Sequence, residues 1–222
     1  MNMFFGNKKD KIFCISFQRT GTTSVGDFFE QNGFARAGWN ETKKNQWGLK
    51  YFFGNYEGIF NSKDFKRNKV FEDGPWSLHC GHFYKVLFHR FPNARFVLFT
   101  RDPDNWYRSM MSHSHKKTLG NTFRHCHYYE REKEFYDTFG TKTDVFLDKI
   151  KPLPLTDEYR DHYVNIYETR NAHAVNFFKK HHSNSNRFIH CELEDEKKWE
   201  KLAGFFNLSS NNQTDIHSNK SQ

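Results

Sequence analysis

A chain of 222 residues is long enough for one sizeable α/β core, and a single domain over 1–222 is the expectation. Its 34 Lys and Arg against 26 Asp and Glu give a net charge of +8 and a pI near 9.2, a balance suited to anionic ligands, nucleotide and nucleic acid alike. A mean hydropathy of −0.93, with no apolar run approaching ~20 residues, excludes a membrane-spanning helix.

Met1 to Lys11 lacks the apolar core of a secretory signal, so a cytoplasmic location is expected. Ile12-Phe13-Cys14-Ile15-Ser16-Phe17 then reads as a buried parallel strand, and it opens onto Gln18-Arg19-Thr20-Gly21-Thr22-Thr23-Ser24. A strand, a loop of one glycine, one arginine and several hydroxyls, and a helix from about Thr23 to Asn32 form the layout of an anion cradle. The loop is not a Walker A sequence, which needs an early glycine and a lysine after the last glycine. Ser16 and Thr22 occupy those places, and the cation is Arg19. The plain alternative is a polar strand-to-helix turn without a ligand.

Gly33 stops the first helix, and residues 34–66 are aromatic and basic. Val70-Phe71-Glu72 reads as a second strand, ending in Asp73-Gly74-Pro75. A helix is expected over His82–Phe91, ended by Pro92. Arg95 to Thr100 is another buried strand, and it leads into Arg101-Asp102-Pro103-Asp104. Asp102 suits an N-cap, Pro103 the first turn and Asp104 the positive end of the dipole of a helix over Arg101–His115. Arg101 leaves the carboxyl end of its strand, and with Ser109 belongs to the edge where open α/β sheets bind ligands.

Residues 113–155 form a possible cap or insert, beginning with a basic, histidine-bearing stretch at 113–124. An amphipathic segment over Arg124–Phe139 follows, and Lys151-Pro152-Leu153-Pro154 breaks the chain. Thr156–Lys180 reads as a long helix, Arg187–Cys191 as a last strand and Trp199–Phe206 as a short helix, with a polar tail at 209–222. The fold class is α/β, three αβα layers about a central parallel sheet, and the 26 phenylalanines predict an aromatic core. Cys14, Cys80, Cys126 and Cys191 show no paired spacing, and Cys14 and Cys191 read as buried hydrophobes. The histidines at 79, 82, 113, 115, 125 and 127 lack tetrahedral zinc spacing, so no metal is expected.

Taken together, these residues resemble the P-loop sulfotransferases, which use 3′-phosphoadenosine-5′-phosphosulfate (PAPS). The family's 5′-phosphosulfate loop, roughly [KR]-[ST]-G-[ST]-[ST], is matched by Arg19-Thr20-Gly21-Thr22-Thr23. Its strand-end arginine with a serine eight residues on is matched by Arg101 and Ser109. Asp73-x-Pro75, Phe83-Tyr84-Lys85-x-Leu87, Phe91-Pro92-x-Ala94-Arg95-Phe96 and Arg101-Asp102-Pro103-x-x-Trp106-Tyr107 are similar to a branch with an acidic catalytic base. The resemblance runs from about Lys11 to Ser109 and resumes weakly from Asn165.

It implies a P-loop sulfotransferase-like fold and PAPS as co-substrate. Thr20, Gly21, Thr22, Thr23 and Ser24 with Arg19 would hold the 5′-phosphosulfate, and Arg101 and Ser109 the 3′-phosphate. Arg19 would stabilise the leaving phosphate without magnesium, because a transferring SO₃ unit carries less charge than a γ-phosphoryl. Asp73 is the implied general base, although Asp-Gly-Pro is also an ordinary turn whose aspartate caps its own backbone. Glu72 should point to the opposite face of its strand, and His79 and His82 are reserve bases. Trp106 reads as helix packing, and His217-Ser218-Asn219 is similar to a short motif that closes the cofactor site. The Arg-Lys-Gly triplet of cytosolic members is absent. The expected acceptor is a small molecule or carbohydrate bearing a hydroxyl or amine, with no nucleic-acid or membrane partner. Two other readings compete: an atypical P-loop kinase acting on a nucleotide or small molecule, and a non-catalytic basic module that binds nucleic acid.

Overall fold

A computed structural model describes residues 10–113, 123–140, 153, 155–181 and 185–208. Residues 114–122, 141–152 and Pro154 of the expected cap, and the tail with His217-Ser218-Asn219, lie outside the described residues. Five strands, β1 (Ile12–Cys14), β2 (Arg36–Ala37), β3 (Val70–Phe71), β4 (Arg95–Thr100) and β5 (Phe188–Glu192), form one sheet in the order β2-β3-β1-β4-β5. Every neighbouring pair is parallel, with Ile12 opposite both Val70 and Arg95 and Phe96 opposite Phe188. The chain leaves β1 toward β2 and leaves β4 toward β5, so adjacent strands β1 and β4 diverge at their carboxyl ends. In an open parallel sheet such a switch point is where ligands bind.

The described residues fall into two compact units, one from the chain up to Arg101 with the stretch from Ala174 onward, the other from Asp102 to His173. The first unit holds the sheet. On one face α1 (Thr22–Gln31) and α11 (Lys198–Phe206) cover Ile12, Cys14, Val97, Phe99 and Cys191 with Phe28, Phe29, Leu202 and Phe206. Side chains alternate along a strand, so Phe13 turns to the other face. There its ring lies 5.3 Å from Phe71, 5.4 Å from Trp76 and 5.7 Å from Phe96. Such aromatic pairs contribute ~0.5–1.5 kcal/mol each beyond their area burial.

Residues 34–66 supply β2 and four short helices, α2 (Trp39–Lys44), α3 (Trp47–Phe52), α4 (Tyr56–Phe60) and α5 (Lys63–Arg67). Asn55 and Ser62 cap the last two, accepting from Gly58 N at 2.9 Å and Phe65 N at 3.4 Å. Lys11 reaches the far end of α5, where its Nζ donates to Phe65 O at 2.8 Å and Asn68 O at 2.5 Å. Helix α6 (Phe83–Arg90) completes this face.

The second unit holds α7 (Pro103–Ser112), α8 (Phe123–Tyr128), α9 (Glu132–Phe139) and the first part of α10 (Arg160–Lys180). Asp102 Oδ1 accepts from Asn105 N at 2.9 Å, the N-cap expected from sequence, and Asp104 pairs with Arg160. Trp106 is fully buried and stacks on Tyr167 at 4.2 Å, as a packing residue does. Arg131 is buried in a fork to Glu134 at 2.7 Å on both sides, beneath the Tyr159 ring.

Candidate active site

The first strand is shorter than its apolar run because Ser16 interrupts the ladder. Its Oγ accepts from Phe99 N at 2.7 Å, replacing a backbone carbonyl and releasing the chain into the loop. Thr20 is buried and donates to Phe17 O at 2.5 Å, closing the loop on itself. The Thr20 hydroxyl proton is thus spent on the loop. Arg19 follows with φ at 67°, a left-handed conformation that costs an arginine on the order of 1–3 kcal/mol.

Gly21 is the N-cap of α1, at φ 81°. A Cβ there would come within 2.8 Å of Leu193 Cδ1, just past β5, so the loop passes where only glycine fits. No side chain caps this helix, and its first turn holds no acidic residue. The N–H groups of Thr22, Thr23 and Ser24 begin the helix at the positive end of its dipole. Thr22 and Ser24 are buried and Thr23 is half-buried.

Arg101 stands at the carboxyl end of β4, next to the loop leaving β1. Burial and the Arg101 charge together push the Arg19 guanidinium below its ordinary pKa, burial being the larger cause. Two guanidinium groups close enough to repel each other, on the edge where α1 begins, are chemically suited to an anion. Arg101 also pairs with Glu194, Nε to Oε1 at 3.3 Å. Sequence reasoning missed Glu194 and Leu193. Their signal was their position just beyond the last strand, on the edge that carries the other candidates.

Asp73 leaves the end of β3, the strand on the other side of β1. It too has a positive φ, 72°, and its Oδ1 accepts from Gly74 N at 2.8 Å. The turn reading is therefore real, yet it occupies one carboxylate oxygen of two. Burial pushes the Asp73 carboxyl up from its ordinary value, and the bond from Gly74 N opposes this. Helix α2 steadies the turn, Thr42 Oγ1 donating to Gly74 O at 2.7 Å. Glu72 points the other way, as expected, and pairs with Arg36 Nη2 at 2.9 Å.

His79 is buried, its Nδ1 2.8 Å from Ser77 Oγ and its Nε2 3.2 Å from Cys80 Sγ. His82 is exposed, at the start of α6. Cys14, Cys80, Cys126 and Cys191 are buried thiols, and burial pushes Cys14 and Cys126 up to about 12 and Cys191 to about 11. Ser109 is buried on α7 in the second unit, whereas Arg101 belongs to the first. The first unit thus brings Arg19, Gly21, Thr22, Asp73 and Arg101 to one sheet edge, while Ser109 joins them only through its spacing in the sequence. Among the described residues no group of three or more His, Cys, Asp or Glu is arranged as a metal centre, and no helix is long and apolar enough to cross a membrane.

The comparison with curated proteins found no match to the chain. A known family does match it: the one described as a sulfotransferase domain matches residues 11–221, nearly the full length, including the loop, the Asp73 turn and the Arg101 strand end. With a parallel sheet whose switch point is lined by arginines, the chain belongs to the sulfotransferase-domain family.

Proposed function

We propose that this sulfotransferase moves a sulfuryl group from PAPS to a hydroxyl or amine of a small-molecule or glycan acceptor. The observation that supports the reading is that the Arg19 loop and Arg101 leave the carboxyl ends of adjacent strands β1 and β4, near enough for their charges to interact, with Asp73 at the end of β3 on the other side of β1. PAPS supplies an activated S–O bond and a phosphate leaving group. The N–H groups of Thr22, Thr23 and Ser24 bind the 5′-phosphate side and orient it in line with the acceptor. Arg19 meets the charge that develops on the bridging oxygen as the S–O bond breaks and its electron pair passes to the phosphate. Asp73 takes the proton from the acceptor as the new bond to sulfur forms, and its raised pKa makes it a better base than a solvated aspartate. The products are the sulfated acceptor, adenosine 3′,5′-bisphosphate and a proton. Arg101 is the 3′-phosphate ligand in this reading, and the part given to Ser109 rests on sequence spacing alone.

The test is a calorimetric titration with adenosine 3′,5′-bisphosphate, wild type beside Arg101→Ala. Metal-free binding by the wild type, weakened at least tenfold in the variant, is the expected result. No heat with this ligand, together with magnesium-dependent binding of ATP, would sink the reading in favour of a kinase.

A further inference from the structure

Behind Asp73 lies a group of charges that the transfer step as described does not use. Arg36 of β2 donates to Glu72 Oε1 from Nη2 at 2.9 Å and from Nε at 3.2 Å. Its Nη1 binds Asp27 on α1 and lies 3.4 Å from Glu30 Oε2. The side chains of Arg36 and Glu72 are 16% and 3% exposed, so the pair is largely withdrawn from water. Two glycines make room for it. A Cβ at Gly26 of α1 would stand 2.5 Å from Arg36 Nε, and one at Gly38 would overlap Glu72 Oε1.

The placement of this pair is specific. Glu72 is the residue before Asp73, and its N–H donates to Ala37 O of β2 at 3.2 Å. Asp27 sits in the helix whose N-terminus forms the donor site. One guanidinium therefore spans the strand end carrying the candidate base and the helix carrying the candidate phosphate ligands. A buried ion pair is poor evidence for stability, since apolar residues of similar volume commonly do as well or better. Its geometric yield is different: planar, forked bonds in fixed directions.

We propose that Arg36 and Glu72 are positioning residues for sulfuryl transfer, clamping the Asp73 strand end to α1 so that base and donor keep one separation. The inference rests on the reading of Asp73 as base and of α1 as the donor site. It adds a pH signature, because adjacent carboxyls titrate as a pair and the neighbouring Asp73 raises Glu72. The groups facing Glu72 are Arg36 on β2, Asp73 beside it, Asp27 and Glu30 on α1, Cys14 on β1 and Glu41 on α2, whose Oε2 accepts from Gly38 N at 3.1 Å. Burial and the neighbouring Asp73 push Glu72 up to about 7, against the pull of Arg36.

The experiment measures kcat, KM for PAPS, affinity for adenosine 3′,5′-bisphosphate and the pH–rate profile in Glu72→Gln, Arg36→Met with Glu72→Gln, and Asp73→Asn. Glu72→Gln keeps an acceptor for Arg36 and is expected to lose the inflection near pH 7. The double variant leaves neither member of the pair charged, so it is expected to fold. It should bind the bisphosphate within about threefold of wild type yet turn over roughly tenfold or more slowly, since small misplacements cost up to ~10²-fold. A folded double variant with wild-type kcat and pH profile overturns the clamp. Asp73→Asn separates the two layers. If it is slow while the double variant is not, the clamp alone fails; if it is fully active, the base reading fails and takes the clamp with it.

Discussion

Arg19 and Asp73 share left-handed backbone, but the two cases differ in weight. Aspartate tolerates that region by bonding locally, as Oδ1 does to Gly74 N. Arginine has no such excuse, so the strain at Arg19 is held by the fold around it. This gives Arg19→Gly a distinctive outcome: kcat falls ~10²–10³-fold while the melting temperature does not fall, because glycine relieves the strain. Asp73→Asn keeps both the turn bond and the tolerance for positive φ, so it should fold normally and lose ~10²–10⁴-fold in kcat. Unfolding curves run beside steady-state kinetics check both, and a variant that loses stability and rate in parallel would contradict the argument.

At the scale of elements, the loop–helix junction depends on Gly21 twice over, through its φ of 81° and through Leu193. Gly21→Ala is expected to destabilise by more than ~1 kcal/mol and to weaken adenosine 3′,5′-bisphosphate binding. Adding Leu193→Ala should restore part of the loss, since it removes the clash and leaves the φ. Differential scanning calorimetry with and without the ligand measures both, and full restoration would show that φ does not matter here. Much of this junction was legible beforehand: apolar runs gave β1, β3, β4 and β5, and Asp102-Pro103 marked the start of α7. What stayed hidden has physical causes. Helices α2 to α5 are five or six residues each, too short for a 3.6-residue period to register, although their capping residues Asn55 and Ser62 were in plain view. The Arg101–Glu194 and Arg36–Glu72 pairs could not be read because the two members of each lie far apart in sequence and are brought close by strand order. The parallel sheet turned the Asp73 turn, the Arg19 loop and Arg101 from separate motifs into one edge.

For the molecule as a whole, the buried carboxyls predict how stability follows pH. Glu72 is pushed from its ordinary 4.5 to about 7, so between those values the folded chain holds a proton that the unfolded chain releases. Its contribution is complete below pH 4.5 and is lost as pH rises through 7, roughly 3 kcal/mol at ~1.4 kcal/mol per pH unit. Asp73 acts in the same direction. Asp64, Glu134 and Asp195 are held below their ordinary values, so their contributions fade only in more acidic solution. Denaturant melts across pH 4.5–7.5 should show a downward slope that Glu72→Gln flattens, and an unchanged slope would count against this assignment. The sheet order also has a consequence for synthesis. β1 is the earliest strand in the chain and the central one of the sheet, and Ser16 waits for Phe99, 83 residues downstream. At ribosomal speeds that is on the order of ten seconds before both neighbours of this apolar run are made, β3 coming first and β4 last. The strand that presents the Arg19 loop is therefore the one left longest with its edges unpaired as the chain is made.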